Sequence, residues 1–447
     1  MVVTFRMPNG YDVIFTSDSG CTAKLNHEVE TYHPTTGAVN YWVKVPTVSH
    51  TYDTVIYLCY GNSSITTDQS NKTGVWDSNF KGVWHLPNGS SLSANDSTSN
   101  ANNGSISGAV AAAAKVGGGG DFNGSSNYID VKAGKVDSST TTGTVSAWVR
   151  ISALDTNGAV LGYGGAAATA PPMWGVYVRE VSSNRYFAVS GRATAGATFN
   201  TVRGSTVLAA NTWYYVTYSS NGSTWKIRLN GATAETLTAV LGTNSGQWIG
   251  DITPTTPDKS VMGGVYAGGG YSSANFWHGL LDEVRLSNIE RSDDWVATEY
   301  NNQSSPATFY TISAATSAYP PTVAIASPAA GAVLPAPASI TITANAADQD
   351  GTVSKVEFFK DNVKIGEDTS SPFSFAWNNV PSGSYSLTAV STDNANATGT
   401  SAPVSIVVNS APTVSITSPA NNATLPATTR MSFHLMRNTT FSLGKPF

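Results

Sequence analysis

The sequence predicts an all-β protein built from antiparallel β-sandwiches. Charged residues make up only 12% of the chain, aromatic residues reach 10%, and glycine occurs 41 times. Apolar and polar residues alternate over short segments that end at Gly, Asn or Ser, which is typical of strands joined by turns. Sparse charge with many aromatic and small turn residues favours exported all-β proteins over cytosolic enzymes.

Length and charge bound the number of domains and the class of partner. A chain of 447 residues suits two to four domains. The net charge of -5 and the pI near 5.7 lack the basic footprint that nucleic acid binding requires. Because no apolar run approaches the ~18 residues that cross a bilayer, we expect no membrane insertion.

The first predicted domain covers residues 1–75, with strand patterns in DVIFTS, HEVETYH, NYWVKVP and DTVIYLCYGN. Cys21 and Cys59 both fall in it, and they form either one disulfide in an oxidising compartment or two buried thiols. Residues 1–20 show no signal peptide, because they lack a basic region followed by an apolar one. The absence of this pattern fits either a missing N-terminal part or a cytosolic location.

A period-two pattern places Glu28 and Glu30 on one face of a predicted strand, between His27 and His33. These four side chains suggest a metal site. However, zinc sites normally draw convergent His or Cys ligands from more than one element, and the other polar residues nearby are Thr and Tyr. The sequence therefore favours a solvated strand face.

The central predicted domain covers residues 78–304 and contains a dozen or more strand patterns, enough for one antiparallel sandwich. GGGGDFNGSSNYIDV at 117–131 and FWHGLLDEVRLSN at 276–288 supply its bracketing strands. The GGGG run at 117–120 precedes a strand and predicts a flexible lead-in.

Aromatic residues in this domain are predicted to pack rather than to bind a ligand. In TVSAWVR, alternation places Val145, Ala147 and Val149 in the core and Trp148 on the opposite face, where packing is favoured. His85 follows Trp84 in KGVWHLPN, and we expect both side chains to pack against the first sheet.

The order of segments in the central domain resembles the laminin-G-like, or concanavalin A-like, jelly roll. The matching stretches are DSTSNANNG at 96–104, DFNGSSNYIDV at 121–131, TVSAWVR at 144–150, NTWYYVTYS at 211–219, KIRLNG at 226–231 and LLDEVRLSN at 280–288. Residues 1–75 resemble an uncharacterised bacterial domain of unknown function that often precedes such a jelly roll. The resemblance implies the fold and leaves the function open, since this fold hosts lectins, adhesins and hydrolases.

The same resemblance implies a structural Ca²⁺ site near the joined terminal strands. Asp96, Asn103 and Asp282 offer the hard oxygen donors that Ca²⁺ prefers. Asn123 and Asn127 stand where many relatives have Asp, which weakens the electrostatic attraction for the ion. Ca²⁺ as a cofactor therefore stays an open alternative.

Signatures of catalysis are scarce in the central domain. A retaining glycosidase needs two carboxylates about 5 Å apart, which on a strand means positions i and i+2 or i+4. Asp282 and Glu283 are adjacent, so alternation predicts that they point to opposite faces, and Glu180 has no second carboxylate on its strand. No nucleophile elbow or phosphate-binding glycine loop occurs. The sequence leaves enzymatic activity uncertain and favours recognition.

Sugar recognition uses aromatic faces that stack on the ring, with amide and guanidinium groups for the hydroxyls. Trp174 is the residue we would test first. The predicted loop-proximal ligand-binding residues are Tyr163, Trp174, Tyr177, Arg179 and Tyr271.

The C-terminal third contains a repeat, since PPTVAIASPAAGAVLPA recurs further on as APTVSITSPANNATLPA. The stretch DQDGTVSKVEFFKDNVKIGED resembles bacterial immunoglobulin-like domains of secreted glycosidases and surface proteins. We expect one such domain, acting as a spacer, at 318–409 and a truncated second copy at 410–447. Asp348 and Asp350 either bind Ca²⁺ or lie in a solvated turn, and the turn is favoured.

The domain order favours a secreted or cell-surface bacterial protein that binds carbohydrate in a lectin-like manner. One alternative is a glycoside hydrolase that acts on polysaccharide through the concanavalin A-like domain, and a second is a protein-binding adhesin. The expected partners are a polysaccharide or other glycan and further domains of the full-length protein.

Overall fold

The computed structural model describes residues 9–413, apart from 35, 50, 63–64, 88–90, 154–156, 167–168, 254, 314–319, 349–351 and 395, together with residue 424. The chain forms two compact units, Met1–Ile312 and Ser313–Phe447. The all-β prediction is confirmed, and both units are sandwiches of largely antiparallel sheets. Asp350 and nearly all of the predicted repeat at 410–447 lie outside the described residues.

The N-terminal part of the first unit holds five short strands in two small sheets. The strands are β1 (Ile14–Thr16), β2 (Lys24–Leu25), β3 (His27–His33), β4 (Ala38–Val43) and β5 (Tyr57–Cys59). One sheet has the order β2-β1-β5, and the other is the β3-β4 hairpin. A disulfide joins Cys21 to Cys59, with their Cα atoms 6.1 Å apart, so the alternative of two free thiols is excluded.

The rest of the first unit is the jelly roll. Its strands are β6 (Phe80–Trp84), β7 (Ser105–Ser107), β8 (Val110–Val116), β9 (Gly118–Asn123), β10 (Tyr128–Ala133), β11 (Gly143–Ile151), β12 (Ala159–Gly165), β13 (Met173–Val181), β14 (Asn184–Arg192), β15 (Asn200–Arg203), β16 (Trp213–Ser220), β17 (Trp225–Leu229), β18 (Thr238–Leu241), β19 (Asp258–Met262), β20 (Tyr266–Ala267), β21 (Gly270–Tyr271) and β22 (His278–Ser287). The helices are α1 (Lys72–Val75), α2 (Asp293–Ser304), α3 (Pro306–Phe309) and a 3₁₀ turn at Ile249–Asp251. Among the described residues, no helix is long and apolar enough to cross a bilayer.

Two sheets enclose the core of the jelly roll. One has the order β18-β15-β14-β13-β12-β19-β10-β7, and the other has the order β17-β16-β11-β22-β9-β8, with β6 also paired to β22. Val145, Ala147 and Val149 of β11 lie in this core, as predicted. Trp148 faces the other way, where it packs with Tyr215 and Val296 beneath α2, so its predicted packing role is also confirmed.

The glycine run is part of a strand rather than a flexible lead-in, so that prediction is wrong. β9 begins at Gly118, and Gly118 to Gly120 are buried. A Cβ at Gly119 would lie 2.8 Å from the carbonyl oxygen of Leu281 in β22. These positions of β9 are therefore glycines because the strand packs closely against β22.

β22 contains a β-bulge that changes which side chains share a face. In its pairing with β11, Arg285 lies opposite Ser146 and Asp282 opposite Trp148, so two residues of β22 face Ala147 alone. Glu283 has a φ of 51°, a left-handed conformation that supplies the extra residue. Because of the bulge, Asp282 and Glu283 lie on the face of Trp148, and the prediction of opposite faces is wrong.

The second unit is an immunoglobulin-like sandwich. Its strands are β23 (Thr322–Ser327), β24 (Val333–Pro335), β25 (Ala338–Ala347), β26 (Val353–Lys360), β27 (Val363–Asp368), β28 (Ser374–Val380), β29 (Gly383–Asp393), β30 (Thr398–Thr400) and β31 (Val404–Asn409). The sheet β23-β25-β28 packs on the sheet β24-β31-β29-β26-β27 around a core that includes Ile342, Phe358 and Leu387. Asp348 directly follows β25.

Candidate functional site

An open pocket of about 330 Å³ lies at the edge of the jelly roll where β9 ends and β22 begins. We call it the rim pocket. Its lining residues are Gly108, Val110, Asp121, Phe122, Asn123, Asn127, Ser152 and His278. The two segments that bracket the jelly roll in the sequence therefore build the pocket themselves.

Strand register and one turn position the polar groups of the rim pocket. Asn123 of β9 lies directly opposite His278 of β22, so their side chains are neighbours on one face. The Asn123 carboxamide oxygen accepts hydrogen bonds from the backbone N–H groups of Ser125, Ser126 and Asn127, at 3.0, 2.9 and 3.1 Å. These bonds hold the turn that carries Asn127 into the pocket.

The lining of the rim pocket suits a ligand rich in hydroxyl groups. It combines the carboxylate of Asp121, two carboxamides, the Ser152 hydroxyl and the His278 imidazole, which together donate and accept hydrogen bonds. Among the lining residues that the structure describes, Asp121 is the one acidic residue. The pocket thus lacks the pair of carboxylates that a glycosidase uses.

One tyrosine of a stacked pair directly follows a rim pocket residue in the chain. Tyr128 follows the pocket residue Asn127 and stacks on Tyr271, with ring centroids 3.8 Å apart. The Tyr271 hydroxyl donates to Asp130 Oδ2 at 2.6 Å and accepts from Lys259 Nζ at 2.7 Å. Burial and the neighbouring Asp130 raise the pKa of Tyr271, so its hydroxyl stays protonated. Tyr271 therefore contacts a chain neighbour of the pocket residue Asn127, but it does not line the pocket.

The other aromatic candidates lie in strands with their side chains buried, so the prediction that they form a loop-proximal binding surface is wrong. Tyr163 lies in β12 and Trp174 and Tyr177 lie in β13, with 0%, 0% and 7% of their surfaces exposed. Trp174 packs against Trp248 and donates to the carbonyl oxygen of Gln247 at 3.2 Å. No ring face of Trp174 or Tyr163 is available to a sugar. Arg179 also lies in β13, opposite Tyr186 of β14, and outside the rim pocket.

The predicted Ca²⁺ residues accept hydrogen bonds from backbone N–H groups in this structure. Asp96 is buried, and its carboxylate accepts hydrogen bonds from the N–H groups of Val83 at 3.0 Å and Asn102 at 2.8 Å. Asn103 accepts from the N–H of Asp96 at 2.9 Å. Asp282 Oδ2 instead accepts from two N–H groups of β8. A Ca²⁺ role for Asp96, Asn103 and Asp282 stays a prediction.

A second polar cluster is buried where the N-terminal strands meet the jelly roll. We call Glu28, Glu30, His85, Glu283 and Arg285 the carboxylate–histidine cluster. His85 lies between Glu28, 3.3 Å from Nε2, and Glu283, 2.7 Å from Nδ1. Arg285 Nη2 lies 2.5 Å from the other carboxylate oxygen of Glu283. The cluster therefore joins β3, the end of β6 and the bulge of β22.

Two tryptophans enclose the acidic residues of this cluster. Trp76 Nε1 donates to Glu28 and Trp42 Nε1 donates to Glu30, each at 2.9 Å. The Trp42 ring also stacks on His85, with centroids 5.4 Å apart. Because β3 packs against the jelly roll here, Glu28 is only 5% exposed. The prediction of a solvated strand face is therefore wrong.

Burial shifts the protonation of the cluster. Burial and the nearby Glu283 charge raise the pKa of Glu30 to about 8. Burial alone would lower the pKa of His85, but the charges of Glu283 and Glu28 and the hydrogen bonds to them raise it to about 10. Burial and the Glu283 charge also raise the pKa of Asp282 well above its ordinary value. At neutral pH His85 is a cation between two carboxylates, and Glu30 retains a proton.

Three family models match the chain in the predicted order. A domain of unknown function, DUF2341, matches residues 9–83, the concanavalin A-like lectin/glucanases superfamily matches 123–297, and a bacterial Ig domain matches 321–389. The predicted resemblances are thereby confirmed. No curated protein matches the chain.

Solved structures share parts of this architecture at low similarity. Domain 4 of AbnA, a GH43 extracellular arabinanase from Geobacillus stearothermophilus, in complex with arabinotriose, is 18% identical over 49% of this chain and 96% of its own, with a TM-score of 0.36. Fibronectin(III)-like modules of Clostridium thermocellum CbhA are 29% identical over 21% of this chain and 99% of their own, at 0.19. The Ruminococcus gnavus IT-sialidase CBM40, bound to alpha2,3 sialyllactose, is 15% identical over 36% and 83%, at 0.30. All three TM-scores lie below 0.5, so none of these likenesses bears on the function.

Proposed function

We propose that the protein recognises a polysaccharide or other glycan, and that the rim pocket is the binding site. The observation that carries this proposal is the convergence of Asp121, Asn123, Asn127, Ser152 and His278 in one pocket. The pocket belongs to the jelly roll, which matches the concanavalin A-like lectin/glucanases superfamily. A carbohydrate-related role is the function class that this match supports.

The size and chemistry of the rim pocket support a saccharide ligand. Its volume of about 330 Å³ falls at the lower end of the range of small-ligand sites. A pyranose ring presents several hydroxyls, each of which donates one hydrogen bond and accepts others. Two amides, a carboxylate and an imidazole, carried by β9, the turn after it and the start of β22, provide matching partners.

The pocket residues favour binding over hydrolysis. Asp121 supplies one carboxylate, whereas acid–base cleavage of a glycosidic bond uses two. The carboxylate–histidine cluster does not supply a catalytic pair either. Its Glu283 is fully buried and bonds both His85 and Arg285. We therefore propose a lectin-like module rather than a glycoside hydrolase.

Two features support a secreted or cell-surface location. A disulfide such as Cys21–Cys59 persists in oxidising compartments and is rare in the cytosol. The immunoglobulin-like unit matches a bacterial Ig domain model. Such a unit fits the predicted role of a spacer.

The test is retention of the full chain on a panel of polysaccharides by affinity electrophoresis, with reducing-sugar release measured on the same samples. We expect retention by at least one polysaccharide and no sugar release. Asp121→Asn should weaken that retention about tenfold, because a hydrogen bond to a charged group contributes about 1.5–3 kcal/mol.

The matched control is Asp53→Asn, the same change at an exposed residue outside the pocket. It should leave retention unchanged. Absence of retention across the panel, or equal retention by both variants, contradicts the rim pocket as the binding site. Sugar release that a single carboxylate substitution abolishes would establish the hydrolase instead, and glycan-independent attachment to proteins would favour the adhesin.

A further inference from the structure

The carboxylate–histidine cluster has the composition of a metal site. Oxygen atoms of Glu30 and Glu283 and a ring nitrogen of His85 all lie within 4.8 Å of one another. Within the described ranges, this is the group of His, Cys, Asp and Glu side chains that meets that spacing. Its members come from three elements separated widely in the chain, which is how metal sites are normally assembled.

Surrounding groups hold these side chains in the orientation that a ligand set needs. Glu28 lies 3.3 Å from His85 Nε2, which leaves Nδ1 directed at Glu283. A carboxylate on the far ring nitrogen is the usual support for a metal-binding histidine. Trp42 bonds one oxygen of Glu30, and Arg285 bonds one oxygen of Glu283, so both carboxylates are oriented. The second oxygen of Glu283 lies 2.7 Å from His85 Nδ1.

Two buried oxygens accept no hydrogen bond from any described residue. They are Oε1 of Glu30 and Oδ1 of Asp282, and Asp282 is fully buried one residue before Glu283. A buried carboxylate oxygen without a partner is costly, because it has lost its hydration. Asp282 precedes Glu283 in the chain, and a carboxylate oxygen of Glu30 lies within 4.8 Å of one of Glu283, so a cation at this point would offset the lost hydration of both residues.

The charges around the cluster also favour a bound cation. The described acidic side chains in and around it are Glu28, Glu30, Asp282, Glu283 and Glu299, whereas its cationic side chains are His85 and Arg285. An excess of buried carboxylates is stabilised either by protons or by a bound cation.

A cleft open to solvent adjoins this group through Glu30. A cleft of about 280 Å³ lies between β3 and the segment after β6, and Glu30 forms part of its wall together with Tyr32, His33, Pro87 and Ser93. Glu30 thus connects the cleft to the buried ligands. A site with three protein ligands and one side open to a cleft retains a coordination position for water or another ligand.

We propose that Glu30, His85 and Glu283 bind a divalent transition-metal ion of the Zn²⁺ or Mn²⁺ class at the junction of the N-terminal strands with the jelly roll. Imidazole nitrogen favours these ions over Ca²⁺ and Mg²⁺, which prefer oxygen ligands throughout. Metal–ligand distances of about 2.0–2.2 Å place tetrahedral ligand atoms about 3.4 Å apart. In the metal-free protein His85 Nδ1 lies 2.7 Å from Glu283 Oε1, so the ion must displace the proton between these two atoms and separate them by about 0.7 Å. Glu30 closes the gap on its own side, since its side chain has one described hydrogen bond, to Trp42.

The test is titration of the full chain, first stripped with EDTA and dialysed, with Zn²⁺, Mn²⁺, Ca²⁺ and Mg²⁺ in separate calorimetric experiments. We expect one equivalent of Zn²⁺ or Mn²⁺ to bind and to raise the Tm. Glu30→Gln should reduce that affinity at least tenfold and abolish the metal-dependent rise in Tm. In EDTA, Glu30→Gln should fold normally, because Gln keeps the shape of the side chain and its carboxamide oxygen still accepts the hydrogen bond from Trp42.

Glu180→Gln is the matched control, since Glu180 is exposed and pairs only with Arg185 among its described contacts. It should bind metal like the unaltered chain. Absence of binding, a preference for Ca²⁺ or Mg²⁺, or unchanged affinity in Glu30→Gln would each overturn the proposal. The glycan-binding proposal is independent of it, because the rim pocket shares no residue with this site.

Discussion

Trp174 illustrates how alternation separates a core residue from a surface residue. In MWGVYVRE the apolar positions Trp174, Val176 and Val178 recur with a period of two, and all three lie in the core. The strand begins at Met173, and Trp174 points inward although Pro171 and Pro172 place it close to a loop. The alternation was a sufficient signal for burial and outweighs the proximity of a turn.

Trp174→Ala should therefore act on stability. Removal of a buried Trp leaves a large cavity and should lower the free energy of unfolding of the first unit by about 3–5 kcal/mol. Trp295→Ala, at a tryptophan that is 42% exposed and lies over Arg291, should cost less than about 1 kcal/mol. Urea denaturation followed by circular dichroism measures both. If the variant kept its stability but lost glycan retention, Trp174 would instead be a binding residue.

Gly117 has a role that composition alone does not reveal. Its φ is 60°, and a Cβ there would lie 1.8 Å from Oε1 of Glu30. The glycine therefore makes room for the carboxylate of a residue far away in the chain. The sequence shows a glycine run, but not which distant side chain needs the space.

Gly117→Ala should be more destabilising than Gly269→Ala, measured as the free energy of unfolding in EDTA. Gly269 has a similar φ of 84° but open space around its Cβ position, so its substitution costs only the backbone strain of about 1 kcal/mol. The clash at Gly117 should add about 1–3 kcal/mol. Combining Gly117→Ala with Glu30→Ala should remove that addition. Equal costs at both glycines would show that Glu30 does not occupy the space.

At the scale of elements, β22 shows what a period-two pattern predicts and where it fails. The pattern LLDEVRLS correctly indicates a strand, and alternation accounts for Val284 and Leu286 in the core. Leu281, five positions before Leu286, reaches the same core only because of the bulge. Alternation fails at Glu283, because the bulge inserts one residue and moves Glu283 to the face of Asp282. A bulge depends on pairing with β11, which local sequence does not encode.

The N-terminal strands are the elements that the disulfide should stabilise most. The continuous core of the jelly roll begins at Trp84, so β1, β2 and β5 lie outside it. Cys21 and Cys59 are separated by 38 positions, and closure of such a loop contributes about 4 kcal/mol. Reduction should therefore speed hydrogen exchange in β1, β2 and β5 while β11 and β22 keep their protection. Equal changes in all five strands would contradict a local role for the disulfide.

At the scale of the whole molecule, the order of domains was predictable, whereas the sites between distant segments were not. Repeats, strand patterns and family-like stretches predicted the jelly roll and the immunoglobulin-like unit, and the family models match them. Glu28 and His85 are in contact although they are far apart in the sequence, and no local pattern around either residue predicts that contact. The contact arises because β3 packs on the sheet that contains β6 and β22. The rim pocket arises similarly, from the register of β9 with β22.

We propose that the rim pocket holds the glycan. The most direct test is hydrogen–deuterium exchange of the full chain with and without the oligosaccharide that corresponds to its best-retained polysaccharide. We predict slower exchange confined to 121–127 and 276–279, because ligand contacts there restrain the turn after β9 and the start of β22. Protection confined instead to β13 and β14, around Tyr177 and Arg179, would contradict the rim pocket and place the ligand on the face of the opposite sheet.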